Sequence, residues 1–596
     1  MLNFIISNSP KIWMKNSKKL FIADPYVYHV LERTQKNKQY DSIQVSDYLR
    51  NTKEDLIDDC NFVDEKYEKY IEILSNRLNK IHNKNYELDF WKKSLSMGFI
   101  RYITAFYDTF KICEKYFNPE LHSCNILSKT SYFTPNDFED HRACFQNSDF
   151  GQEQIFSIYM HLFHSGVSNP TDLDFSVNKN KKINWTEIIR KSKVFYLLKS
   201  LFYKFKFGFF SQKIRIGVLG SYFSKKNINE LSRKSSKKIA LLNIPEYSYS
   251  RVKNKALNIF ERELLSNYEN DFDAFDKFFF TSLKYCFPKI FIEDYENIEI
   301  FLKNKIEKYS QLNYVTCENW ISNTQNSLCI ALFQSKSIKH IYNEHNCFFH
   351  PFAGSFVNHV LEMCDIYATL GWNDYSSPKL ITSGSLFPYR ELKIKTIINK
   401  ILFVAAPSIV KATHFSGAWG YAQENVPKTI TFNNCFFENL SKSTLNEILY
   451  RGYPKYKTHN IQMYEKEYFY NDFYAELKLS DYKKSGKQEM IESQLIVIDY
   501  ISTAYLESIL LNLPTVFFWD ENAYFLDNKN KDFFQPLINV GICQTDPVKA
   551  ARFIEKIKDN PKKWWLSEVV QKGKNEFLDK NIGGPEKMVN YLLGLL

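Results

Sequence analysis

Apolar residues fall into two textures along the chain, and each predicts its own elements. Between Tyr67 and Tyr116, in stretches such as YIEILSNRLNKIH and FWKKSLSMGFIRYITAFYD, they recur every three or four residues with almost no breakers. That spacing predicts helices. From Lys213 onward, short β-branched runs bounded by polar turns take over. KIRIGVLGSYF, KKIALLNI, SLCIALF at Ser327, KHIYNEHN at Lys339 and CDIYATLG at Cys364 read as buried strands of a parallel sheet. A second series opens with KILFVAAP at Lys400 and continues with IESQLIVIDY at Ile491 and PTVFFWD at Pro514. The helix STAYLESILLN between the last two completes a βαβ unit. Residues 546–596 read as helices, with NPKKWW at Asn560 placing a proline near a helix start.

The pattern predicts an α/β protein with two Rossmann-like cores, at 210–392 and 393–596, preceded by a helix-rich region at 1–209. At roughly 150 residues per domain, 596 residues exceed one core. With 44% hydrophobic and 24% charged residues, wholesale disorder is excluded, and no internal repeat suggests a solenoid. No run of about 18 apolar residues occurs, so no transmembrane helix is predicted. The opening MLNFIISNSPKIWMKNSKK is not expected to be a signal peptide, because its apolar stretch is short and broken by Asn3, Ser7 and Asn8. Eleven scattered cysteines without a CxxC pair fit a reducing compartment, which predicts a cytoplasmic protein.

Charge adds a partner. The chain carries +11, but residues 181–238 alone hold 16 Lys and Arg against Glu187 and Glu230, a net of +14. Within them, VFYLLKSLFYKFKFGFF interleaves aromatics with Lys199, Lys204 and Lys206. Such a segment can lay an apolar face on an anionic bilayer while its lysines meet headgroups, which would attach the protein peripherally to the inner face of the cytoplasmic membrane; the alternative is a partly buried helix or strand with solvated lysines. No nucleic-acid motif accompanies it, and nucleic acid is not expected as a partner. The alternative from a different class is a non-catalytic basic protein that holds membrane or nucleic acid through this segment.

The segment from Ile498 to Asp520 is the most informative for chemistry. A strand ends at Asp499, a turn presents Ser502 and Thr503, and a helix begins there. Free N–H groups at a helix start, with hydroxyls beside them, suit phosphate oxygens. Glu507, four residues after Thr503, can accept hydrogen bonds from ribose hydroxyls. The structural alternative is a helix cap followed by a first-turn carboxylate.

The same segment resembles the nucleotide-binding region of GT-B glycosyltransferases, in particular transferases of bacterial O-antigen and surface-polysaccharide regions. These are distantly similar to CMP-sugar-using Kdo and nonulosonate transferases. The resemblance covers most of the chain in order, through FWKKSLSMGFIRYITAFYD at Phe90, EHNCFFHPFAG at Glu344, DIYATLGW at Asp365, the Ile498 segment, FFQPLINVGI and the later WW pair. It implies two Rossmann-like domains facing a cleft, with the acceptor held by the N-terminal one and the nucleotide-sugar donor by the C-terminal one. The acceptor would be a glycan or lipid-linked glycan of a surface polysaccharide or lipopolysaccharide.

No cofactor is implied, and no metal is predicted, because the chain has no HExxH and no DxD in a convincing strand-end context. Inverting transfer needs a base for the acceptor hydroxyl. His345 and Glu344, at the carboxyl end of the strand KHIYN, are the candidates, with His350 and Glu362 behind them. The family pattern has glycines after the histidine, where this chain has Asn346 and Cys347. Arg451, in RGYP, stands where relatives carry a basic phosphate ligand. Trp372 is expected as part of a sugar platform, and Gly384 as a close backbone approach to a ligand or a simple turn. A related alternative is polyol-phosphate transfer from a CDP-activated donor, since teichoic-acid polymerases share the fold and an Asp-Tyr-Ser-Ser turn. Here the turn reads Asp499-Tyr500-Ile501-Ser502, one residue out of step.

Overall fold

The structure, a computed structural model, describes residues 1–47, 49–50, 52–146, 148–166, 168–172, 213–220, 225–248, 252–344, 350–373, 376–384, 397–405, 425–452, 477–501, 503–522 and 524–596. Most of the basic aromatic segment within 181–238 lies outside the described residues, as do His345 and Ser502.

Three parallel sheets organise the chain. The second contains β6 (Ile216–Val218), β7 (Ile239–Leu241), β8 (Tyr314–Thr316), β9 (Lys339–Asn343), β10 (Ile366–Thr369) and β11 (Leu380–Thr382), in the order β11-β10-β9-β8-β6-β7. The third contains β12 (Asn399–Val404), β13 (Ile448–Arg451), β14 (Lys478–Leu479), β15 (Ser493–Ile498), β16 (Thr515–Phe518) and β17 (Cys543–Gln544), in the order β14-β13-β12-β15-β16-β17. Their centres are buried on both faces: Leu495 to Ile498 and Val516 to Phe518 are at most 1% exposed. That is why these strands read as continuous apolar runs rather than alternations. The two sheets are the pair of Rossmann-like units expected of a GT-B-type fold.

The N-terminal region contains the expected helices and a sheet that the sequence reading did not anticipate. Strands β1 (Leu2–Ile5), β2 (Lys19–Ile22), β3 (Ser42–Val45), β4 (His122–Leu127) and β5 (Ser168–Thr171) pair in the parallel order β3-β2-β1-β4-β5. Between β3 and β4 the chain makes a helical hairpin, Lys53–His82 and Leu88–Tyr116. Thr52 and Asp55 form a reciprocal capping box at the start of the first helix, and Asn83 ends it in a left-handed conformation. The second helix is interrupted at Ser96, whose φ of 47° and ψ of −151° are not helical.

One strand assignment is corrected. SLCIALF lies inside the helix Thr324–Gln334, and Leu328 to Phe333 are all buried. A helix covered on every side has no polar face, so its sequence loses the 3.6-residue signature and mimics a buried strand.

The terminal helices follow as expected, and the Asn560 side chain caps the helix Pro561–Trp565. The last helix, Pro585–Gly594, returns to the second sheet. There Met588 and Leu592 pack with Ile216, Val218, Ile239, Ile341 and Ala368 in a separate apolar cluster.

Candidate functional site

In an open parallel sheet, ligands gather beyond the carboxyl ends of the strands, where the strand order reverses. Each of the three sheets has such a point, and they are differently furnished.

In the first sheet the crevice between β1 and β4 is filled by the chain's own groups. The Ser7 hydroxyl donates to the buried Glu153 carboxylate, the Asn8 amide donates to Asp149 Oδ1 at 3.0 Å, and Trp13 Nε1 donates to the Ser7 carbonyl at 3.1 Å.

The third sheet reverses between β12 and β15. Asp499 follows β15, is 2% exposed, and accepts from Asn433 Nδ2 at 2.7 Å. Asn433 stands on the helix Asn425–Glu438 that follows β12, so both sides of the crevice contribute to this contact. Thr503 is the first residue of the helix Thr503–Leu510. Glu507, one turn on, lies 3.3 Å from Lys487 Nζ with its side chain 18% exposed. Asp499 and Thr503 therefore stand beyond the carboxyl end of β15, at the start of the helix that carries Glu507.

Arg451, at the end of β13, is not a surface arginine. Its Nη1 donates to Glu489 Oε2 at 2.6 Å and to Ser480 Oγ at 3.1 Å, and the guanidinium lies 5.1 Å from the centre of the Tyr482 ring. The buried Glu489 carboxylate already meets its charge, so a phosphate there would compete with an internal partner.

The second sheet reverses between β6 and β8; Glu344, which follows the next strand, β9, is 1% exposed. Its Oε2 accepts from the Leu370 amide at 3.0 Å and from Trp372 Nε1 at 2.6 Å. The Trp372 ring is buried and stacks on His350, with centroids 4.1 Å apart and planes at 17°. Phe533 meets the His350 ring edge-on at 5.1 Å. Trp372 is therefore a buried layer under His350 and not an exposed sugar platform: its indole N–H is anchored by Glu344 and its face is covered. Glu362 is exposed on the helix Val357–Met363.

Gly384 has a φ of +120°, and a Cβ there would stand 2.5 Å from the Gly584 carbonyl. The close approach is to the connection before the last helix. Sequence reasoning missed the buried network of Thr316, Glu318 and Asn343 at the edges of β8 and β9, where Asn343 Nδ2 donates to Glu318 Oε1 at 2.6 Å. The available signal was the polar residues directly after the short run YV in NYVTCEN.

The loops after β9 and β16 join the two sheets. Phe352 and Leu526 form an antiparallel bridge, the Ala353 amide donates to the Phe525 carbonyl at 2.9 Å, and the Asp527 amide donates to the Pro351 carbonyl at 2.8 Å. Beside this junction lies a cavity of about 260 Å³ that also takes residues from both helices of the N-terminal hairpin. Arg101 is among them; burial pushes its pKa down to about 9, and its Nη1 donates to the Ile321 carbonyl at 3.0 Å. Among the described residues, no three His, Cys, Asp or Glu side chains are grouped to hold a metal ion, and no helix is long and apolar enough to cross a membrane.

No curated protein matches the sequence. Among solved structures, the chain is similar to the wall teichoic acid polymerase TagF, with 10% identity and a TM-score of 0.29 over 65% of this chain and 89% of that one. It is also similar to Methanocaldococcus jannaschii UDP-GlcNAc 2-epimerase, with 11% identity and a TM-score of 0.35 over 64% and 99%. Acinetobacter baumannii MurG gives 9% identity and a TM-score of 0.29 over 64% and 98%. A family model matches residues 2–591, nearly the whole length, and the chain belongs to the LIC12162 family of transferases.

Proposed function

We propose that this transferase is a metal-independent glycosyltransferase that moves a sugar from a nucleotide-activated donor to a surface polysaccharide or lipopolysaccharide acceptor. The observation that supports the reading is the third sheet's reversal point, where Asp499 follows β15 and leads into the helix Thr503–Leu510, with Thr503 at its start and Glu507 one turn on. The helix N-terminus offers N–H groups to the donor's phosphates and stabilises the charge that develops as the nucleotide leaves. Glu507 accepts from the ribose hydroxyls. On the acceptor side, His345 takes the proton from the attacking hydroxyl. Glu344, next to His345 in the chain, is a positioning residue, holding Trp372 and, through the stack, His350.

The test is nucleotide binding by the full chain. A uridine or cytidine nucleotide at 100 times its dissociation constant should stabilise the fold by about 2.7 kcal/mol in thermal unfolding. Thr503→Ala should weaken a nucleoside diphosphate more than the bare nucleoside, and Glu507→Gln should weaken both. If no nucleotide stabilises the protein, or if both variants bind with unchanged affinity, the donor assignment fails. Turnover that survives a chelator supports metal independence, and turnover abolished by it and restored by a divalent cation refutes it.

A further inference from the structure

The cavity beside the joined loops differs chemically from the donor crevice. One part of its lining is apolar: Met97, Ile100 and Thr104 of the helix Leu88–Tyr116, all buried, line it beside Arg101, and the Thr104 hydroxyl is turned back onto the Ile100 carbonyl at 2.9 Å. Phe352 and Phe356, from the segment after β9, add aromatic surface. The mouth is polar and exposed, with Asn61 and Asp64 on the helix Lys53–His82 and Asn358 on the helix Val357–Met363. The cavity's formal charges cancel, Arg101 and Lys529 standing against Asp64 and Asp527. Asp64 is further engaged by His359, whose Nε2 lies 2.8 Å from its Oδ1.

An apolar patch beside amide, carboxylate and guanidinium groups matches a pyranose ring, which presents C–H groups on one face and hydroxyls around its edge. Balanced charge gives no net pull on a phosphate. A volume of about 260 Å³ lies just under the ~300–1,000 Å³ usual for ligand pockets and suits one ring rather than a nucleotide. We propose that this cavity binds a single neutral hexose or N-acetylhexosamine ring, the accepting end of the glycan. The assignment of that ring as acceptor rests on the glycosyl-transfer reading; the cavity's preference for a neutral sugar does not.

Saturation-transfer NMR on the full chain, with and without UDP and CMP, tests it. The probes are methyl glycosides of glucose and N-acetylglucosamine against methyl glucuronide and glucose 1-phosphate. The neutral glycosides should receive saturation, and the charged ones should receive less. Asn61→Trp and Asn358→Trp, both at exposed positions that tolerate bulk without disturbing the core, should block the mouth and weaken binding by about tenfold or more. Absence of transfer to any neutral glycoside, tighter binding of the charged pair, or binding unchanged in both tryptophan variants would overturn the proposal. Nucleotide titrations run alongside separate the two readings: failure there, with sugar binding intact, counts against the donor site alone.

Discussion

Arg451 and Glu489 form a pair whose importance emerges when one partner is removed. Both side chains are at most 7% exposed and meet at 2.6 Å. Arg451→Ala should therefore lower stability by about 3–5 kcal/mol, because it strands a buried carboxylate. Replacing both, as Arg451→Met with Glu489→Leu, should recover most of that loss in denaturant unfolding. A different result is expected at Glu344. Glu344→Gln keeps an acceptor for Trp372 Nε1 and the Leu370 amide, so folding should survive and turnover should fall less than tenfold. His345→Ala should lower turnover by about 10² to 10⁴ if the histidine is the base. Rates of glycosyl transfer for the two variants, measured side by side, separate positioning from proton transfer.

Among the elements, the second sheet and the connection before the last helix approach each other closely. Gly384 and Gly583 touch backbone to backbone, and the Gly583 amide donates to the Leu370 carbonyl at 2.6 Å. Gly384→Ala adds a Cβ at a φ of +120° against the Gly584 carbonyl and should cost about 1–3 kcal/mol, read as a lower melting temperature. The elements most legible in the sequence were those whose neighbours in space are neighbours in the chain. Strand β15, its turn and the helix Thr503–Leu510 are contiguous, so Asp499, Thr503 and Glu507 could be grouped before any fold was known. The four-residue strands β1 to β3 were missed because each is too short to show a period. The helix Thr324–Gln334 was misread because complete burial erases its polar face. The cavity could not be read at all: its walls run from Ile57 to Lys529, and nothing local in Asn61, Arg101 or Asn358 announces that they meet.

For the molecule as a whole, one buried carboxylate gathers several of the bonds that hold the hairpin to the helix Ala274–Cys286. Asp276 accepts from Lys66 at 2.7 Å, Lys69 at 2.9 Å and Tyr70 at 2.6 Å, tying the helix Lys53–His82 to the helix Ala274–Cys286. Burial pushes its pKa up, but these hydrogen bonds outweigh burial and hold it down, at about 2. A carboxyl depressed in the folded state stabilises the protein above its unfolded value and loses that contribution on acidification. About 2 kcal/mol should therefore disappear between roughly pH 4 and pH 2, and Asp276→Asn should remove that portion of the acid dependence in unfolding titrations.

The return of the last helix to the second sheet sets an order of events during synthesis. Strand β11 ends at Thr382, yet Met588 and Leu592, which cover Ile216, Val218 and Ile341, are made roughly 200 residues later. At about 5–20 residues per second, that apolar face waits on the order of 10–40 s for its cover. The first sheet is complete at Thr171 and can fold while the chain is still growing. The second can close only after the helix Pro585–Gly594 has been made, so the interval between those two moments is when the newborn chain is most exposed to misassociation.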